Sequence, residues 1–192
     1  MKQQISRAEA EELLHRYLKT EYLLKHSLES AVIMEKLAEH FAEDQDAWYI
    51  TGLLHDLDMD RVGPDYEGHG EKTLELLKAE GYDLPVLFNA ILSHTEGVEG
   101  SRGRRSSRLD YCLAAAENIT GLISAYVLMK PDKKIAGTKV KSIQKKLRDR
   151  SFAAKVSREF IQDITVHTGL EQQAFIAISL SAMESIAERI GM

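Results

Sequence analysis

Apolar side chains recur along this chain at intervals of three and four residues and almost nowhere in strict alternation, a pattern that predicts helices nearly throughout. Ser6 sits where an N-cap is needed, ahead of AEAEELLHRYL. From Glu21 to Phe41, Leu23, Ser30, Ile33, Leu37 and Phe41 share one stripe, and His26 lies on the same face. Asp44 or Asp46 can cap a helix running through Trp48 to Leu57, and Gly63-Pro64 then breaks the chain. A helix over 67–80 should end at Gly81, and Asp83-Leu84-Pro85 starts the next, through Val86, Phe88 and Ile91 to His94. Gly97 to Arg105 (GVEGSRGRR) reads as a flexible loop. A long helix over about 107–129 follows and is broken at Pro131-Asp132. Helices over about 139–150, 157–168 and 171–190 close the chain, with Gly169 between the last two. No alternating run of strand length is bounded by turn residues, so the expected class is all-α. A single domain over 1–192 is expected, with its functional core at about 20–130 and the helices of about 139–190 packed on it.

Composition removes several alternatives. At 192 residues the chain can bury a sizeable core without staples. Its one cysteine, Cys112, excludes an internal disulfide and a cysteine-built zinc site. The opening MKQQISRAEAEELLHRYL is charged and amphipathic, without the apolar stretch of a secretory leader. The longest apolar helix, Leu109 to Met129, carries Asp110, Glu117 and Asn118 and reads as a core helix, so a cytoplasmic protein without a membrane span is expected. Net charge is −5, yet Lys130 to Arg150 holds nine Lys/Arg against two Asp, which leaves the rest about twelve charges negative. That basic run lacks interleaved aromatics, which disfavours nucleic acid, and a solvated helix face accounts for it.

The chemistry lies in histidines and acids. His15, His40 and His167 fit helix surfaces or boundaries. His26, by contrast, points at the core, where each imidazole nitrogen needs a partner. His55-Asp56 closes the helix that starts near Trp48, and Asp58 and Asp60 follow at once. Crowding imidazoles and acids into six residues suits a cation better than it suits packing. His69 and His94 fall at helix ends, where ligands converge in a bundle. Glu117 interrupts the apolar stretch LAAAENITGLISA and needs pairing or a metal; Asp110, two turns earlier on the same face, is its rival.

This ordered set, His26, then His55-Asp56 in TGLLHDLDMD, then His69 and His94, resembles the HD-domain superfamily of metal-dependent phosphohydrolases. The resemblance implies an all-α, HD-domain-like helical bundle with an additional C-terminal helical region. It implies metal ligands at His26, His55, Asp56 and an acidic residue of the long helix, with Glu117 preferred to Asp110. It also implies that His69 and His94 can hold a second ion, with Asp56 as a bridge. In such proteins the last ligand is usually Asp in a context resembling A-x-D-E-x-T-G-L, whereas here Glu117-Asn118-Ile119-Thr120-Gly121-Leu122 stands. The cofactor expected is one or two divalent transition-metal ions: Mn²⁺, Fe²⁺, Co²⁺, Ni²⁺ or Zn²⁺, with Mg²⁺ admissible. Such an ion pulls the pKa of water towards ~7, and the hydroxide attacks phosphorus. Asp56, His69 and His94 are the expected catalytic groups. Arg61, Lys72 and Lys130, with Arg104 and Arg105, are candidate phosphate contacts, and the Arg102–Arg108 loop a candidate lid. The expected partner is a small phosphorylated substrate, a nucleotide or related molecule; a homo-oligomer is compatible with the sequence. The rival reading is a catalytically weak nucleotide- or phosphate-binding regulatory module.

Overall fold

Ser6 and Glu9 close a reciprocal capping box, Ser6 Oγ accepting from Glu9 N and the Glu9 carboxylate from Ser6 N, and this starts α1 (Arg7–Tyr17). The fold is a computed structural model that describes residues 1–62 and 66–192; the break expected at Gly63-Pro64 lies outside the described residues. Among the described residues nine further helices follow: α2 (Glu21–Phe41), α3 (Gln45–Leu54), α4 (Glu71–Ala79), α5 (Pro85–His94), α6 (Arg108–Met129), α7 (Val140–Arg148), α8 (Arg158–Thr168), α9 (Gln172–Ser185) and α10 (Ala187–Ile190). Their only β pairing is an isolated bridge between Lys2 and Tyr82. The all-α class holds.

Two central helices organise the core. α2 packs against α3, α6 and α9, and α6 packs against α5 and α8. Leu28, Ala31, Ile33, Met34 and Leu37 of α2 are buried, as are Cys112, Leu113, Ala115, Ile119, Leu122 and Ile123 of α6. α6 is the one described helix long and apolar enough to cross a membrane, and its apolar residues are spent on this core. The C-terminal helices add to the same mass: Ile143 and Leu147 of α7, Ile161 and Ile164 of α8, and Phe175, Ile176 and Met183 of α9 are all buried in it.

The boundaries depart from periodicity where tertiary contacts intervene. Asp44, not Asp46, caps α3, accepting from Ala47 N at 3.0 Å. α3 ends at Leu54, and the chain continues in tight turns through Arg61, with Met59 N on Asp56 O and Arg61 N on Asp58 O. α4 begins at Glu71 and not at Glu67. Its N-cap Gly70 has φ +80°, and a Cβ there would stand 3.0 Å from Thr95 Cγ2 and 3.3 Å from Ile91 O, so only glycine fits this bend. His69 therefore sits in the turn before α4. The helix expected over 171–190 breaks at Ile186 into α9 and α10.

Candidate metal centre

α2 and α3 touch backbone to backbone at Gly52, where a Cβ would lie 2.8 Å from Ser30 O and 2.9 Å from Ala31 N. His26 stands one turn before Ser30, and His55 just under one turn after Gly52. The crossing therefore brings the two imidazoles to a centroid separation of 5.2 Å. His94, the last residue of α5, reaches His55 at 5.2 Å, and His69 reaches His94 at 4.9 Å. Four imidazoles from four segments thus form one buried row.

Asp56 is the centre of that row. Its Oδ2 lies 3.5 Å from His26 Nε2 and 3.4 Å from His55 Nε2. Its Oδ1 lies 3.4 Å from both His69 Nε2 and His94 Nε2. Two donor sets result, His26 with His55 and Glu117, and Asp56 with His69 and His94; within each set one potential ligand atom per residue falls within 4.8 Å of the others.

The opposite nitrogen of every ring is engaged elsewhere. His55 Nδ1 donates to Gly52 O at 2.8 Å, and His94 Nδ1 donates to Ile91 O. A carbonyl can only accept, so these two rings carry the proton on Nδ1. Thr120 Oγ1 spends its own proton on Glu117 O at 2.7 Å and therefore accepts from His26 Nδ1 at 2.9 Å. His69 Nδ1 donates to Asp58 Oδ1 at 2.8 Å. Such partners fix the ring and tautomer and raise the basicity of Nε2. His55 Nε2 is buried without a hydrogen-bond partner, a costly orphan unless it donates its lone pair to a ligand.

Electrostatics point the same way. Burial pushes His26 and His55 down to about 4 against the pull of Asp56, so both are neutral lone-pair donors at pH 7. Burial also pushes Glu117 up to about 8, with the Asp56 charge adding to it. Asp56 is itself buried, but the surrounding imidazoles outweigh that and hold it well below the usual carboxylate range. Partial burial lowers His69, yet the hydrogen bonds it donates to Asp56 and Asp58 raise it to about 10. Its proton lies on the Nε2 that faces His94 Nε2 at 3.1 Å, where a cation would otherwise serve.

Several expected residues lie elsewhere. Asp60 turns away and ties down the turn before α2, accepting from Lys19 N at 2.6 Å, Thr20 N at 3.1 Å and Thr20 Oγ1 at 2.6 Å. Asp110 closes the capping box of α6, its Oδ2 accepting from Ser106 N and Ser107 N at 3.0 and 2.9 Å. Arg61 stacks on Tyr17, 4.8 Å from the ring centroid. Lys130 closes the loop after α6 through Lys134 O and Ala136 O, about 20 Å along the helix from Glu117. Lys72 stays near the cluster, on Glu67 O at 2.7 Å and against Gly68. The loop over 97–105, expected to be flexible, is held by several contacts. Ser101 Oγ pairs with Thr95 Oγ1, Arg105 N donates to Glu96 at 3.0 Å, and the Arg105 guanidinium lies 3.9 Å over Phe160. Gly103 is pressed so closely on Leu92 O that a Cβ would stand 1.7 Å from it. Arg104 is exposed, with Glu96 at 4.0 Å.

Asp58 has a part that sequence reading assigned only to a generic acidic cluster. Besides orienting His69, its Oδ2 accepts from Gly70 N at 2.8 Å and Thr73 N at 3.2 Å, which caps α4. Thr120 and Asn118 were visible only as polar interruptions of an apolar helix; the i, i+3 spacing of Glu117 and Thr120 was the available signal.

The α2–α6 seam holds a further buried acid. Glu29 is one turn beyond His26, and Ser124 Oγ, one turn beyond Thr120, donates to both its oxygens at 3.2 Å. Burial raises Glu29 to about 8 from 4.5. Below pH 4.5 the group is neutral folded or unfolded, and no stability is lost. Between 4.5 and 8 the unfolded chain ionises first, so stability falls as pH rises and is fully lost above 8. Glu29→Gln is expected to gain about 4 kcal/mol at pH 8, or roughly 8–16 °C in melting temperature, and almost nothing at pH 4.5. Thermal melts at the two pH values check this, and an equal gain at both would refute the assignment.

An all-α scaffold thus carries two adjoining His/carboxylate donor sets that could hold divalent cations. The HD domain family model matches residues 23–122, over half of the chain, and takes in every residue of both sets. The chain belongs to the HD domain family, and so to a superfamily of metal-dependent phosphohydrolases. No curated protein and no solved structure matches it.

Proposed function

We propose that this chain hydrolyses a small phosphoester, a nucleotide or a related molecule, with two divalent cations shared through Asp56. One observation carries this reading: four imidazoles have their Nδ1 atoms engaged by fixed partners and their Nε2 atoms gathered on the two oxygens of one carboxylate. The donors fit the ions, since mixed nitrogen and oxygen ligands suit Mn²⁺, Fe²⁺, Co²⁺, Ni²⁺ or Zn²⁺, and the orphaned His55 Nε2 gains a partner. When bound, such ions supply charge neutralisation at the phosphoryl oxygens and an activated water. Asp56 spans both positions and orients the groups held there. His26, His55 and Glu117 build one position, His69 and His94 with Asp56 the other. With only one ion bound, His69 keeps its proton and can pass it to the leaving oxygen.

The surroundings favour a small substrate with a planar ring. A cavity of about 250 Å³ opens beside His69 between Tyr66 and the Val98–Ser101 loop. A larger cavity, of about 500 Å³, lies among Ile5, Trp48, Leu87 and Leu109 and touches no residue of the cluster. Tyr66 is 44% exposed and its ring centroid is 6.1 Å from His69; Tyr22 is 65% exposed and lies parallel to His26 at 6.2 Å. Exposed aromatics beside a phosphate-handling centre offer stacking faces, worth about 1–3 kcal/mol per base. Lys72, held on Glu67 O against Gly68 at the edge of the smaller cavity, is a candidate phosphate contact.

The test is turnover of nucleoside monophosphates and of ribose 5-phosphate by protein loaded with each metal in turn. Tyr22→Ala is expected to raise KM about tenfold for the nucleotide and to leave kcat and the base-free substrate unchanged. No product with any metal and substrate would remove the enzymatic reading. Tight nucleotide binding without product would select the regulatory module, which the longer Glu117 ligand favours.

A further inference from the structure

We propose that Asn118 is a positioning residue that holds the Glu117 carboxylate in reach of His26 and His55, and that it passes the docking of α8 on to that cation position. The proposal rests on the metal-dependent reading above.

Adjacent residues of a helix diverge by about 100°, so their side chains do not ordinarily meet. Here they do: Asn118 Nδ2 donates to Glu117 Oε1 at 2.7 Å. The same nitrogen donates to Ala114 O at 2.9 Å, and Asn118 Oδ1 accepts from Ser157 N at 2.8 Å. A carbonyl can only accept and a backbone N–H can only donate, so the amide has a single orientation and every one of its polar atoms is used. Among the described residues no other side chain donates a hydrogen bond to the Glu117 carboxylate. Glu is one methylene longer than Asp and has one more torsion to fix. Asn118 supplies that restraint from the next position along the helix.

The other end of the restraint is α8. Ser157 is its N-cap, with Ser157 Oγ accepting from Phe160 N at 3.3 Å. α8 is seated on α6 and its leading loop by three further contacts. Phe160 lies under Arg105 at 3.9 Å, His167 stacks on Tyr111 at 3.7 Å, and a Cβ on Gly121 would meet Val156 at 3.2 Å. All of α8 falls beyond the segment matched by the HD family model. A helix outside that segment thus reaches a candidate ligand through one amide.

The experiment is a titration of metal-free protein with Zn²⁺ against a chromogenic chelator, with elemental analysis, for a two-by-two set: wild type, Asn118→Ala, Glu117→Asp and the double variant. Wild type is expected to bind two ions. Asn118→Ala should weaken one of them about 10–100-fold, and Asn118→Gln, which keeps both hydrogen-bonding ends, should recover most of the loss. In the Glu117→Asp background, where the shorter carboxylate is withdrawn from the amide, Asn118→Ala should cost less than about threefold. Equal losses in both backgrounds would show that Asn118 only docks α8, and would overturn the proposal. Undiminished zinc binding by Asn118→Ala would overturn it too, while leaving the metal centre standing. A wild type that binds no zinc would remove the metal reading itself. Should Asn118→Ala fail to fold, Asn118→Ser, too short to span both partners, takes its place in the set.

Discussion

Asp56→Asn is expected to empty both cation positions and to lower kcat/KM by about 10³-fold or more, equivalent to at least 4 kcal/mol of transition-state stabilisation. The substitution keeps volume and removes one charge. Among the described residues that charge is the only one facing all four imidazoles, at 3.4–3.5 Å. Among the described residues no other carboxylate faces both halves of the cluster: the His69–His94 half loses a member of its donor set, and the His26–His55 half loses the charge beside it. Folding should survive, because the asparagine fills the same space and His69 keeps its bond to Asp58 at 2.8 Å. The measurement is metal content by elemental analysis beside steady-state kinetics. Asp60→Asn is the matched control from the same acidic run. Asp60 holds the turn before α2 through its hydrogen bonds to Lys19 and Thr20, so its loss should cost about 1 kcal/mol of stability and no metal. A fully metallated, active Asp56→Asn would sink the shared-carboxylate centre.

That two acids four residues apart have such different fates shows where sequence reading stops. Helices were legible because periodicity and caps are local: the Ser6–Glu9 box, Pro85 at the start of α5 and the left-handed Gly169 after α8 all act within a turn or two. The buried histidines were legible for a related reason. His26 lies on an apolar face, and Glu117 interrupts an apolar helix. What decides between Asp58 and Asp60, or between Asp110 and Glu117, is not local. Asp58 meets His69 and the start of α4 only because the tight turns after α3 aim it there, whereas Asp60 is carried towards Thr20. Asp110 and Glu117 share a helical face, but Asp110 is within reach of the orphan amides at the helix start and is taken by them. The crossing at Gly52 that pairs His26 with His55 is equally silent in the sequence, since a single glycine inside a helix has no distinguishing neighbour. Lys130, a candidate phosphate contact in the sequence, is consumed by carbonyls of the loop it closes.

Removing the ions with a chelator is expected to lower the melting temperature by about 8–16 °C. A ligand that binds only the folded state at 1,000 times its dissociation constant adds about 4.1 kcal/mol, and for a chain of this length each kcal/mol moves the midpoint by roughly 2–4 °C. The structure gives the effect its cause. Without a cation, burial holds Glu117 at about 8, and His69, at about 10, keeps a proton between two carboxylates. The empty centre is therefore tolerated only by borrowing protons. Binding an ion must displace the His69 proton, so affinity should rise by up to about tenfold per pH unit over any range below 10. The melting difference between loaded and stripped protein should accordingly widen from pH 6 to pH 8 at constant free metal. Differential scanning calorimetry on both forms, with Asp56→Asn as the control that shows no shift, measures this directly. A stripped protein that melts where the loaded one does would mean that the four imidazoles are held together by their own hydrogen bonds alone, and that no cation completes them.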